Sequence, residues 1–217
     1  MAKKISGTER TQQKLIQAAG VLAARQGLSN VSTRAVSRES GENIGSIHYH
    51  FGGKEGLFKA MIYEAMQSSI RSYNPDLLEQ LDYPERATPL EHSKIIRAVI
   101  AENIRSLFRS GQPDWHVHVI YQLIQQEGEL FERFSAEYLD PEMAKMKRLI
   151  RAIKPELSEE DIFLHACLIK LPIYAQATFR KALLRQLDAK AYSDEYLQNL
   201  EDLLTRQTQL LLELPLD

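Results

Sequence analysis

Apolar residues recur along most of this chain at intervals of three and four, the spacing that gathers them on one side of an α-helix. Between Thr8 and Gln26 the recurrence runs Leu15, Ala18, Ala19, Leu22, and Gly27 stands where a helix would end. Ser32 can cap a short second helix reaching about Ser40, with Ala35 and Val36 turned inward, and Gly41 supplies the backbone freedom of a sharp turn. Asn43 can cap a third helix. Gly52-Gly53 cuts that helix short after Phe51, leaving Ile47 and Phe51 four apart on one face and His48 directed elsewhere. A fourth helix is expected from Lys54 through Leu57, Phe58, Met61, Ile62, Ala65 and Met66 to about Tyr73, with Pro75 as its stop.

After a polar connection holding Pro75, Pro84 and Pro89, helical patterns are expected at roughly 89–110, 114–128, 129–139, 141–154, 158–187 and 193–214. Asp140-Pro141 reads as a cap followed by proline at the first helical position, and Ser158 as a cap before an acidic first turn. Pro172 lies inside an apolar helical pattern, where it removes one backbone donor and should kink the helix. No segment sustains period-two alternation between hairpin turns, so strands are not expected. The pattern predicts an all-α fold, in which these ten candidate segments are expected to make about nine helices.

Composition narrows the reading. The 217 residues are 44% hydrophobic, with 10 glycines and 8 prolines, which favours a packed core over disorder. No apolar run approaches the ~18 residues of a membrane span. The first seven residues are charged but lack the apolar stretch of a secretory signal, and the single cysteine, Cys167, allows no internal disulfide, so a cytoplasmic location is expected with no membrane partner. The net charge of −2 conceals an asymmetry: residues 1–54 carry eight lysines and arginines against three acids, while the rest carries 19 against 26. Only the first part, at +5, suits a polyanion.

Two short helices joined by a tight turn, behind a longer supporting helix and within the basic segment, are the parts of a helix-turn-helix. Only a slim helix enters the ~12 Å major groove, and small or polar residues at its N-terminus let the backbone approach the base edges. Asn43, Gly45 and Ser46 meet that demand. His48 and Tyr49 can then reach a thymine methyl or a phosphate, His50 and Lys54 the backbone beyond the groove, and Thr33 and Arg34 a phosphate and a guanine. Ser32-Thr33-Arg34-Ala35-Val36, followed by the run from Gly41 through Tyr49 and Phe51-Gly52 to Phe58, resembles the TetR repressor family over residues 8 to about 66, most nearly its CerR or CecR-like branch. The resemblance implies a helix-turn-helix domain at 1–54 and a helical ligand-binding and dimerisation domain at 55–217. It also implies double-stranded operator DNA, a second copy of the chain and an unidentified small-molecule effector as partners, and DNA contact at Thr33, Arg34, Gly45, Ser46, His48, His50 and Lys54. Two residues depart from the family pattern. Glu42 stands where an apolar residue usually packs the turn, and Ile44 stands where a polar base reader is common, so Ile44 either fills the core or faces a thymine methyl.

Chemistry of other kinds finds little footing. His48 and His50, like His116 and His118, are two apart and so fall on opposite faces of a helix, which spoils shared metal coordination. Gly52-Gly53-Lys54 lacks the spacing and following hydroxyl of a phosphate loop, and no nucleophile elbow, zinc-protease or Cys-x-x-Cys motif occurs. No enzyme, cofactor or metal is therefore expected. An effector pocket between helices would draw on Trp115, His118, Tyr121, Gln122 and Gln125 of one helix, and on His165, Lys170, Tyr174 and Gln176 around Pro172. Two late helices carry wide apolar rows, Leu164, Leu168, Leu171 and Ala175 on one, Leu197, Leu200, Leu204 and Leu211 on the other. In the family such helices pair with the partner chain, which implies a homodimer on a near-palindromic site. The expected function is a ligand-responsive transcriptional repressor. A ligand-independent DNA-binding protein of chromosome organisation or division is the alternative.

Overall fold

The structure, a computed structural model, describes residues 6–71, 77, 82 and 84–216. The expected end of the fourth helix at Tyr73 and its stop at Pro75 lie outside them. Among the described residues every regular element is helical, as the periodicity predicts, and the chain divides into two compact units, Met1–Ile70 with Gln112–Phe134 and Arg71–Gly111 with Ser135–Asp217.

The first unit opens with α1 (Gly7–Gln26), whose start is fixed by a capping box between Ser6 and Glu9. Its buried stripe is Leu15, Ala18, Ala19, Gly20 and Ala23, small side chains that let neighbouring helices come close. Helices α2 (Thr33–Ser40) and α3 (Ile44–Phe51) follow, capped by Ser32 and Asn43 as their sequences predict, and Gly41 and Gly52 take the left-handed conformation that ends each. Then comes α4 (Lys54–Arg71). Gly56 in its first turn is obligatory, because a Cβ there would sit 1.8 Å from the Phe51 carbonyl oxygen. Two later helices, α6 (Trp115–Ile124) and α7 (Glu129–Phe134), complete this unit. The Trp115 ring lies where a side chain on Gly20 would be, within 2.2 Å of an added Cβ, and its Nε1–H donates to Gln17 Oε1 at 2.8 Å. The Gln122 amide donates to the Ala23 carbonyl and accepts from the Leu28 N–H, closing the last turn of α1. So a segment far along the sequence is built into the packing of the N-terminal helices.

The second unit contains α5 (Pro89–Phe108), α8 (Asp140–Ile153), α9 (Glu159–Thr178), α10 (Arg180–Gln186) and α11 (Asp194–Leu211). Its core joins Ile95, Ile96, Val99, Ile100 and Ile104 of α5 to Met146, Leu149 and Ile150 of α8, and to Ile162, Ala166, Ile169 and Ile173 of α9. Two expectations are corrected here. The helix predicted over 158–187 is two helices, which meet at 78° across Phe179, and the first of them stays continuous through Pro172. Buried contacts on both sides of Pro172, at Ile169 and Ile173, hold α9 together through the proline. Asp140 is not a free-standing cap, because a helical turn of wider radius, Ser135–Leu139, runs straight into α8. Cys167 is half-buried. Ser158 caps α9 as its sequence predicts, accepting from the Asp161 N–H.

Candidate nucleic-acid interface

The turn between α2 and α3 is held by polar contacts. Ser37 Oγ donates to the Glu42 carbonyl at 2.6 Å, Ser40 Oγ accepts from the Glu42 N–H, and the Glu42 carboxylate pairs with Lys14 of α1 at 2.8 Å. Where an apolar side chain was expected to pack the turn, an ion pair ties it to the supporting helix. The acid is thereby drawn back and its charge offset, which a surface meant for a polyanion requires.

Helix α3 shows two faces. Ile47 is fully buried and Phe51 half-buried, anchoring one side. At about 100° per residue, Ile44, Gly45, His48 and Tyr49 fall together on the other, and all four are exposed. Tyr49 is 84% exposed, its ring edge-on to His50 with centroids 4.9 Å apart. Ile44 is 39% exposed, which rules out the reading that it fills the core. Asn43 spends its side-chain oxygen on the Gly45 N–H and thus starts the helix. Ser46 and His50 are half-buried at the edges of the outward face. Arg34 is exposed in the first turn of α2 beside half-buried Thr33, and Lys54 is exposed at the start of α4, its ammonium 5.1 Å from the Phe58 ring centroid. The ten residues expected to meet DNA therefore lie on α2, α3 and the start of α4, within the first unit.

The nine residues expected to line an effector pocket are not one group. Five lie in the first unit, where Trp115 and Gln122 are engaged on α1, His118 contacts the Asp114 carbonyl through Nδ1 at 3.0 Å, and Tyr121 and Gln125 are exposed. Four lie in the second. There His165 and Tyr174 are half-buried, Lys170 is buried and paired with Glu142, and Gln176 accepts from the Tyr192 hydroxyl through its backbone and from the Tyr196 hydroxyl through its side chain. Of the residues expected at a dimer contact, Leu164, Leu168, Leu171 and Leu211 are exposed, Ala175 and Leu200 are half-buried, and Leu197 and Leu204 belong to the core of their own chain. Sequence reasoning weighed His116 only as a metal ligand and missed its burial. It is 5% exposed, neither ring nitrogen has a hydrogen-bond partner among the described residues, and Nε2 is 4.0 Å from Glu64 Oε1. Burial pushes its pKa down to about 4 and pushes that of Glu64 up, the latter opposed by a hydrogen bond from Gln13. Among the described residues no group of three or more His, Cys, Asp and Glu is placed to hold a metal, and no single helix is long and apolar enough to cross a membrane.

Comparison with known proteins agrees with this geometry. Residues 15–61 match the family model of bacterial regulatory proteins of the tetR family, and residues 93–213, more than half of the chain, match that of the C-terminal domain of the HTH-type transcriptional dual regulator CecR. The chain is 30% identical over 78 residues to the HTH-type transcriptional regulator SrpR of Pseudomonas putida, and 32% identical over 91 residues to the HTH-type transcriptional regulator BetI of Vibrio atlanticus (strain LGP32). These stretches are 36% and 42% of this chain and span only 37% and 42% of the two relatives' lengths. The crystal structure of a tetR-family regulatory protein from Rhodococcus RHA1 has the same fold at 19% identity, with a TM-score of 0.60 over 94% of this chain and 95% of that one. The chain belongs to the tetR family of DNA-binding transcriptional regulators, with a C-terminal domain of the CecR type.

Proposed function

We propose that this regulator is a ligand-responsive repressor that binds a near-palindromic operator as a homodimer, in the cytoplasm. The observation that supports it best is the outward face of α3, where Ile44, Gly45, His48 and Tyr49 are presented together beside Arg34 and Lys54 in the segment of +5 charge. In this reading residues 1–54 read DNA and residues 55–217 sense and dimerise. Gly45 and Ser46 let the helix enter the groove, Arg34 contacts a guanine or a phosphate, and Thr33, His48, Tyr49, His50 and Lys54 hold the backbone.

Sensing needs a route from body to reader, and two helices offer one. Helix α4 continues directly from the reader, and α6 grips α1 through Trp115 on Gly20 and through Gln122. A small molecule that favours a different placement of either helix tilts the reader. A coupling of ~1–3 kcal/mol lowers operator affinity ~5–150-fold, which suffices for release.

The test is selection of DNA sequences by the purified full-length protein, with binding then followed at several salt concentrations. One near-palindrome bound by two chains, with affinity falling as salt rises, is the expected result. Sequence-blind binding that vanishes at moderate salt would sink the operator reading. An operator affinity that no fraction of cellular metabolites alters would remove ligand response and leave a constitutive DNA binder.

A further inference from the structure

We propose that Ile44 is a specificity-determining residue that reads the 5-methyl group of one thymine in each operator half-site. The inference rests on the reading of α3 as the DNA-contacting helix and adds the base it selects. Ile44 is the first residue of α3, in the turn that approaches base edges most closely, and its side chain is directed outward. Its own chain does not bury it in the core: Ile47, three residues on, fills the core beneath the helix, and the turn before it is closed by Ser37, Ser40 and the Glu42 to Lys14 pair.

The neighbours of Ile44 on the outward face define what it can meet. His48, four residues on, is on the same face one turn away, Gly45 beside it adds no bulk, and Tyr49 flanks the face. A branched aliphatic side chain there offers no donor or acceptor, so it cannot read a purine edge. In the major groove the thymine methyl is the one apolar feature that a base pair displays. The surrounding charge favours DNA over a protein as the occupant, since the segment carrying this face has eight lysines and arginines against three acids. An isoleucine set in that basic surface gains its contact from a methyl group while its neighbours hold the phosphates.

Thymine-to-uracil replacement deletes that methyl and leaves base pairing intact, which makes the proposal directly testable. The selected duplex is made with each thymine replaced by uracil in turn, symmetrically in both half-sites. Binding is measured for the full-length wild-type protein and for Ile44→Ala, with thermal unfolding to confirm that the variant is folded. At one position the wild-type protein is expected to lose about fourfold per half-site, the factor for one buried methyl-sized group, whereas Ile44→Ala binds thymine and uracil duplexes alike. Ile44→Val should keep most of the discrimination. Uracil without effect at every position overturns the proposal, as does an equal uracil penalty in wild type and Ile44→Ala. Unchanged DNA binding in Ile44→Ala together with a changed oligomeric state overturns it in favour of a protein contact. Failure to select any sequence defeats the operator reading itself, and this inference with it, whereas selective binding that ignores the methyl defeats the inference alone.

Discussion

Arg34 and Lys54 are both exposed cations at the proposed interface, but they are placed for different work. Arg34 leads α2 and has the planar fork that suits a guanine edge, whereas Lys54 lies beyond α3 as a point charge. Arg34→Ala is expected to cost ~1–3 kcal/mol and to relax preference at one base pair, and Lys54→Ala to weaken all sequences alike and flatten the salt dependence by about 1 per lost phosphate contact. Binding to the selected operator and to a scrambled duplex separates the two outcomes. Gly20 makes a prediction about stability instead. Gly20→Ala drives a Cβ into the Trp115 indole, which is buried and held by Gln17, so urea unfolding should show a loss of about 1–3 kcal/mol with DNA specificity intact. The caps Ser32 and Asn43 and the turn glycines were legible in the sequence because each acts within three residues of itself. The roles of Gly20, Gly56 and Glu42 were not. Each is set by a partner brought from elsewhere, the Trp115 ring, the Phe51 carbonyl and the Lys14 ammonium.

Among elements, α6 joins most to the N-terminal helices, and His116 makes its packing sensitive to acid. The imidazole is neutral in the folded protein because burial opposes its charge, with a pKa near 4 against an ordinary 6.5. An unfolded chain takes up the proton first as pH falls, so the stability this residue contributes is whole above pH 6.5, declines between 6.5 and 4, and is constant below. The gap corresponds to roughly 3 kcal/mol. Glu64, whose pKa is raised, acts with the opposite sign over the acidic end of that window and offsets part of the loss. Urea unfolding at pH 7 and pH 5 should therefore show a smaller decline in His116→Leu than in wild type, and an equal decline would contradict the burial argument. Elements were more legible than their breaks. Periodicity located the helices of both units, yet it extended one helix through Phe179, where the chain turns. Sequence weighs a proline by the bond it removes, whereas α9 is held by the core contacts of Ile169 and Ile173, which only the fold reveals.

At the scale of the whole molecule, a single chain leaves much apolar surface uncovered. On α9, Leu164, Leu168 and Leu171 are exposed at spacings of four and three, one continuous stripe, and Leu203, Leu210 and Leu211 are exposed on α11 of the same unit. Contiguous apolar surface of this kind is characteristic of association faces. The proposed homodimer would cover it. The wide apolar rows visible in the sequence could not separate the residues that face the chain's own core, such as Leu197 and Leu204, from those that face outward, because both sets recur with the same helical period. Paired glutamates at Leu168 and Leu171 should leave the fold of one chain intact, since neither side chain packs in the core, and should place like charges against each other across a two-fold contact. The wild-type melting temperature is then expected to rise with protein concentration and sedimentation to report two chains. The double variant should sediment as one chain, melt independently of concentration, and bind a full operator no more tightly than an isolated half-site. If that variant instead remained dimeric with full operator affinity, the pairing surface would have to be sought on other helices of the chain.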